Sequence, residues 1–237
     1  MSAEVATRLG ELAERYELPT GAAEKLAMLL ELVAAEPASI TSVREPAVGV
    51  DVHVADSLAA LEIAEVRAAR DIADLGSGGG FPGLVLAIAR PEARVALVES
   101  VGRKATFLAR AAETLGLGNV EVVGERVETW GAGLGGSDLV TVRALAPLSV
   151  LVEYAAPLLR VGGALVAWKG RLELEEEADG AAAATALGLS HPRGQVVTPY
   201  PDAGLRALYL SLKVTQTPAG YPRRPGMARK RPIEAST

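Results

Sequence analysis

Apolar residues recur at helical spacing along the first part of the chain, at Val5, Leu9, Leu12 and Tyr16 and again at Leu26, Leu29, Leu30 and Val33. The spacing predicts helices over 3–36, interrupted at Leu18-Pro19-Thr20-Gly21, and a third helix over 49–64. Further on the period changes. Short apolar runs at 72–75, 94–99, 120–123, 138–142 and 164–168 predict strands. Helices are expected between them, over 82–90 with Pro82 in the first turn, over 103–115 with Gly116 as its stop, and over 147–160, ended by Gly162-Gly163. An acidic, alanine-rich helix follows at 173–186, then two last strands at 196–199 and 205–214. In the second of these Leu208, Leu210 and Leu212 alternate with Tyr209, Ser211 and Lys213. Strands alternating with helices imply an α/β fold with a doubly wound, mostly parallel seven-stranded sheet. The last pair has no helix between its strands, so it predicts an antiparallel hairpin at a sheet edge. The expected organisation is a helical extension over 1–66, a sheet domain over 67–214 and a proline-rich basic tail over 215–237.

Composition narrows the chemistry. Of 237 residues 49% are hydrophobic, enough for a sizeable core. No cysteine is present, which excludes disulfides, thiolate nucleophiles and cysteine-held zinc. His53 and His191 lie far apart along the chain, so no metal site is expected. The first fifteen residues mix apolar and acidic positions without a signal-peptide core, and no apolar run is long enough to cross a bilayer. A cytoplasmic monomer is expected. Net charge is −5, yet 203–233 holds no acid and seven basic residues: Arg206, Lys213, Arg223, Arg224, Arg229, Lys230 and Arg231. A basic working face on an acidic body points to a nucleic-acid partner.

The segment Asp74-Leu-Gly-Ser-Gly-Gly-Gly-Phe-Pro-Gly83 carries the candidate chemistry. It runs from a strand through clustered glycines into a helix, and the next strand ends in Glu99. Such a loop lets the backbone approach a nucleotide-type cofactor, while the acid takes two ribose hydroxyls. Gly78 to Gly83 formally satisfies the dinucleotide fingerprint, so an NAD(P)-dependent oxidoreductase is one reading. S-adenosylmethionine is the favoured one. Asp74 stands where a carboxylate can face a cationic amino-acid ligand, and Phe81-Pro82 occupies positions where a pyrophosphate wants small residues with N–H donors. Tyr209 and Lys213, the Tyr-x-x-x-Lys pair of this chain, lie along a strand roughly 13 Å apart. A regulatory protein that binds the cofactor without catalysis is a third reading.

The sequence resembles the ribosomal small-subunit methyltransferase G family, also called glucose-inhibited division protein B. The matching segments are the glycine loop together with His53-Val-Ala-Asp-Ser57, Arg90-Pro91, Gly102-Arg-Lys-Ala-Thr-Phe-Leu108, Arg126-Val-Glu128, Val142-Arg-Ala144, Trp168-Lys-Gly170 and Tyr221-Pro-Arg-Arg-Pro-Gly-Met227. Val52, Ser39 and Glu99 stand where the family more often has Arg, Asn and Asp. The resemblance implies a class I, Rossmann-like fold and N7-methylation of guanine 527 in 16S rRNA, with S-adenosylmethionine as donor and rRNA or the small ribosomal subunit as partner. It places cofactor contacts on Gly76, Phe81, Val127, Glu128 and Arg143, beside Asp74, Gly78 and Glu99 from the motif reading.

Guanine N7 carries a lone pair at neutral pH, so such a reaction needs no general base, and no catalytic residue is assigned beyond Arg143 as a positioning candidate. His53 and Asp56, three apart on one helical face, have two equal readings, a pair with each other as a structural cap over the site or a role toward RNA. Trp168 is expected in the core and Glu173 to Glu177 on a solvated face. Arg223, Arg224, Arg229, Lys230 and Arg231 are expected to follow an RNA backbone from an extended tail outside the cofactor motif.

Overall fold

Ser2 caps the first helix, α1 (Ala3–Arg15), its hydroxyl accepting the Val5 N–H at 3.3 Å. Gly21, at φ 83°, opens α2 (Ala22–Ala35) in a left-handed turn closed to most other residues. In this computed structural model residues 2–170 and 172–235 are described; Met1, Arg171, Ser236 and Thr237, which include the ends of the expected extension and tail, lie outside the described residues.

The third helical segment begins at Pro46, earlier than periodicity predicts, because a proline at the first position already has helical φ. It runs as α3 (Pro46–Gly49), a π-helical turn (Val50–Ala55), α4 (Asp56–Leu58) and a 3₁₀ turn (Ala59–Glu62). A short α5 (Ala64–Ala68) leads into the sheet.

Seven strands form one sheet in the order β3-β2-β1-β4-β5-β7-β6. They are β1 (Asp71–Leu75), β2 (Arg94–Val98), β3 (Val120–Val123), β4 (Ser137–Arg143), β5 (Leu159–Lys169), β6 (Arg193–Val197) and β7 (Arg206–Leu212). The pairs from β3 through β5 are parallel; β7 joins β5 antiparallel, and β6 closes the edge antiparallel to β7, the expected hairpin. Chain order reverses between β1 and β4, and at such a switch point the strand ends part to leave a crevice.

Strand periodicity divides the core in two. Ile72, Val95, Leu97, Leu139, Val166 and Trp168 face one side, where they meet α6 (Gly83–Ala89), α7 (Gly102–Thr114) and the N-terminal helices. Ala73, Leu75, Val140, Val142, Leu165 and Ala167 face the other, against α8 (Leu148–Ala155) and α9 (Leu174–Leu187). The N-terminal helices therefore share a core with the sheet.

Three expectations are corrected. Helix α8 ends at Ala155, ahead of Pro157, whose ring cannot continue a helix; Gly162-Gly163 lies inside β5 at a register shift against β4. The edge strand ends at Val197, short of Pro199, which has no N–H for a ladder. The acidic helix is not simply solvated, since Glu176 accepts from Lys169 at 2.5 Å and Glu177 from the Tyr209 hydroxyl at 3.3 Å.

The tail also departs from the extended, detached form. It carries a short helix, α10 (Met227–Lys230), with Ala228 buried against the α8 face. Arg223 forks onto Glu153 of α8, the Gly226 N–H donates to Glu128 at 2.8 Å, and Arg229 donates to the Leu145 carbonyl at 2.7 Å. Buried Glu153 supplies an anchor that composition does not reveal.

Candidate active site

The glycine loop between β1 and α6 is held by two carboxylates. Glu99, just past β2, accepts the Gly78 N–H at 3.0 Å and the Val101 N–H at 2.8 Å. Asp74, within β1, accepts the Thr141 hydroxyl at 2.9 Å and the Gly83 N–H at 3.2 Å. Gly78 has φ 55°, so its need for glycine is conformational; a Cβ there would meet nothing nearer than the Gly76 carbonyl at 3.7 Å. At Gly83 the need is steric, because a Cβ would collide with the Leu97 and Asp74 side chains.

Beside this loop a cavity of about 440 Å³ opens at the carboxyl ends of β1, β2 and β4. Gly76, Glu99, Val127, Glu128 and Arg143 all line it, so residues from four separate segments converge as expected. Tyr154 and Arg229 complete one wall. Sequence reading missed Tyr154, and it placed Arg229 on RNA; Tyr154 lies on an almost wholly apolar helix and had no local signal. A cavity of about 340 Å³ lies at the opposite ends of the strands, around Asp71, Arg94 and Trp130, remote from the loop.

Three expected site residues sit behind the cavity instead of lining it. Asp74 is 1% exposed, and burial raises its carboxyl from 3.8 to about 6, against the hydrogen bond from Thr141. It therefore ties β1, β4 and α6 together behind the cavity. Gly78 is bound to Glu99, as described. Phe81 is buried and stacks on His53, with ring centroids 4.3 Å apart.

Asp74 has a measurable signature. Its folded-state pKa lies above the unfolded value, so its contribution to stability is complete below about pH 4 and is lost as pH rises through about 6. Asp74→Asn removes this titration. We expect the variant's unfolding free energy to lack a decline on the order of 2 kcal/mol between those pH values. Denaturant unfolding across the window checks this; an identical slope in both proteins would clear Asp74.

Arg143 is the hub. Its guanidinium donates to Asp56 at 3.0 Å and to the Val52 carbonyl at 3.2 Å, lies 3.5 Å from His53 Nδ1, and sits over the Phe81 ring, 5.6 Å from its centroid. His53 and Asp56 therefore do not pair directly but meet through Arg143. The π-helical turn advances the chain by an extra residue and sends both side chains inward. His53 Nε2 faces the Val43 carbonyl at 2.9 Å, which can only accept, so Nδ1 is left as an acceptor for Arg143. Burial, with the Arg143 charge also against protonation, lowers the His53 pKa. Trp168 is a core residue, as expected, and its indole N–H donates to the Asp56 carbonyl at 2.9 Å.

The donor set fits S-adenosylmethionine. The carboxylates of Glu99, Glu125 and Glu128, apolar side chains such as Val101 and Val127, and the cations Lys104, Arg126, Arg143 and Arg229 all border the cavity. Among the described residues no group of three or more His, Cys, Asp or Glu is placed to hold a metal, and no helix is long and apolar enough to cross a membrane.

The comparisons agree with this chemistry. The family described as "rRNA small subunit methyltransferase G" matches residues 22–197. The ribosomal RNA small subunit methyltransferase G of Rubrobacter xylanophilus is 43% identical over 220 residues, covering 89% of this chain and 84% of that protein. That of Chloroflexus aggregans is 40% identical, covering 82% of each. Among solved structures, a 16S rRNA (adenine(1408)-N(1))-methyltransferase from Catenulisporales acidiphilia superposes with a TM-score of 0.54 at 21% identity, covering 65% of this chain and 90% of that one. The antibiotic-resistance methyltransferase Kmr gives 0.52 at 21%, covering 62% and 88%. At such identities these two likenesses show the fold alone.

Proposed function

The chain belongs to the rRNA small subunit methyltransferase G family, and from that premise we propose that it methylates N7 of guanine 527 in 16S rRNA. It is an S-adenosylmethionine-dependent rRNA methyltransferase. The observation that carries the choice of N7 is the absence of a poised base at the cavity. Among its described lining residues there is no histidine; burial pushes the Tyr154 phenol up, which keeps it protonated and unable to act as a base, and two further nearby groups with shifted pKa, Asp74 and His53, face inward into hydrogen bonds. A purine N7 needs no proton removed.

S-adenosylmethionine, when bound, supplies an electrophilic methyl group. In our reading Glu99 receives the ribose hydroxyls on the oxygen lone pairs left beside its two N–H bonds, and Val127 and Glu128 border the adenine. Gly76 permits close approach of the backbone, and Arg143 and Arg229 receive the carboxylate. Rigid placement is the chain's main contribution, worth up to about 7–11 kcal/mol where reacting atoms are well aligned. Extrusion of the base from its RNA stack follows from the depth of the RNA major groove, where N7 is hidden. We place the monomer in the cytoplasm, where its rRNA is.

Calorimetry with S-adenosylmethionine, its demethylated product and NAD, followed by mapping of the methyl on 16S rRNA, tests this. Sulfonium binding and N7-methylguanine are expected. NAD binding alone, or a methyl on a ribose hydroxyl or pyrimidine carbon, would overturn it.

The tail contributes to RNA binding through Arg224, Lys230 and Arg231, which are exposed, whereas Arg223 and Arg229 are engaged within the fold. Changing Arg224, Lys230 and Arg231 together to Ser is expected to weaken RNA binding and to flatten its salt dependence, by about one unit of slope for each phosphate no longer neutralised. Affinity for S-adenosylmethionine should stay at the wild-type level. An unchanged salt slope would remove the tail from the RNA interface.

A further inference from the structure

A smaller cavity of about 180 Å³ adjoins the cofactor cavity, and Arg143 and Ala144 line both. Its other walls include Asp56, Trp168 and Arg206. Ala144 holds φ 52°, a left-handed conformation uncommon for a residue with a side chain, where β4 ends between the two cavities. The smaller space lies below the usual range for whole cofactors and suits a single flat group.

Asp56 is 6% exposed. One carboxylate oxygen accepts from Arg143 at 3.0 Å and the other faces Arg206 Nε at 3.5 Å, while the Trp168 indole fixes its backbone carbonyl. Each carboxylate oxygen accepts about two hydrogen bonds, and a guanidinium has five N–H donors, so both members of the pair retain capacity toward the cavity. A donor and an acceptor thus stand side by side, next to the place where a methyl group is transferred.

We infer that this cavity receives the target base and that Asp56, beside Arg143, is the residue that selects guanine; the inference rests on the N7 reading above. Going round its ring, guanine presents N7, then the O6 acceptor, then the N1–H donor. With N7 turned toward the cofactor cavity, O6 meets an Arg143 N–H and N1–H meets the Asp56 carboxylate. Adenine reverses both polarities, with an amino donor against the arginine and a bare N1 acceptor against the carboxylate. Sites built to satisfy such groups reject bases that leave them unpaired. Arg206, 41% exposed in its side chain, stands at the mouth, where the backbone phosphate passes.

The test uses target RNA carrying guanine, inosine or 2-aminopurine at the acceptor position, with the full-length protein and its Asp56→Asn variant. Inosine keeps O6 and N1–H; 2-aminopurine has neither and offers a bare N1. Wild type is expected to methylate inosine at least a hundredfold faster than 2-aminopurine. In Asp56→Asn the negative charge and one of the two acceptor oxygens are lost, so N1–H is held more weakly, while the new NH2 can donate to a bare N1. The guanine to 2-aminopurine ratio of kcat/KM should therefore fall at least tenfold, with S-adenosylmethionine affinity within twofold of wild type. Equal loss on both bases would make Asp56 only a support for Arg143 and overturn the proposal, as would a wild type that treats inosine and 2-aminopurine alike, a result that stands even if the variant does not fold. A wild type that leaves guanine N7 itself untouched would bring down the underlying reading instead.

Discussion

Arg143→Lys is expected to lower kcat/KM for methyl transfer at least about a hundredfold, close to 3 kcal/mol of transition-state stabilisation, with little change in thermal stability. A lysine keeps the charge and loses the fork. The native guanidinium reaches Val52 O, Asp56 and His53 Nδ1 in one plane and lines both cavities at once. A single ammonium is a point charge with a flexible stem and cannot fix that plane. Single-turnover rates at saturating cofactor, with calorimetry for cofactor affinity, separate impaired positioning from impaired binding. A rate within threefold of wild type would show that charge alone suffices at this position.

Arg223→Ser should destabilise the fold by about 3–5 kcal/mol. Glu153 is 3% exposed, and Arg223 is its bidentate partner, with Nε at 2.6 Å from one oxygen. Removing the arginine strands a buried carboxylate. The segment it anchors also carries the Gly226 bond to Glu128 and the Arg229 wall of the cavity, so cofactor affinity should fall as well. Adding Glu153→Gln to the variant should restore much of the stability, because the uncompensated charge is gone. Denaturant unfolding of both single variants and the double variant measures the coupling; additive losses would mean that the pair is not what holds the tail. The result bears on a composite change of all five tail cations, which would disturb cofactor and RNA sites together.

Much of this architecture can be read along the chain because its causes are local. A change of apolar period from helical to alternating, a proline at a helix start and a glycine run after a strand each act within a few residues, and the order of strands and helices follows from them. Glu99, Gly76, Val127, Glu128 and Arg143 converge on one cavity because parallel strands present all their carboxyl ends at one edge.

What spacing does not reveal is the partner of each charge. Asp74 occupies the position of a ligand-facing acid, yet Thr141 and the Gly83 amide enclose it, and burial holds its pKa at about 6. His53 and Asp56 look like a mutual pair until a residue about ninety positions later comes between them. Arg223 reads as an RNA-facing tail cation until α8 presents a buried carboxylate to it. In each case the deciding quantity is desolvation together with a partner distant along the chain, and both exist only once the helices are packed on the sheet.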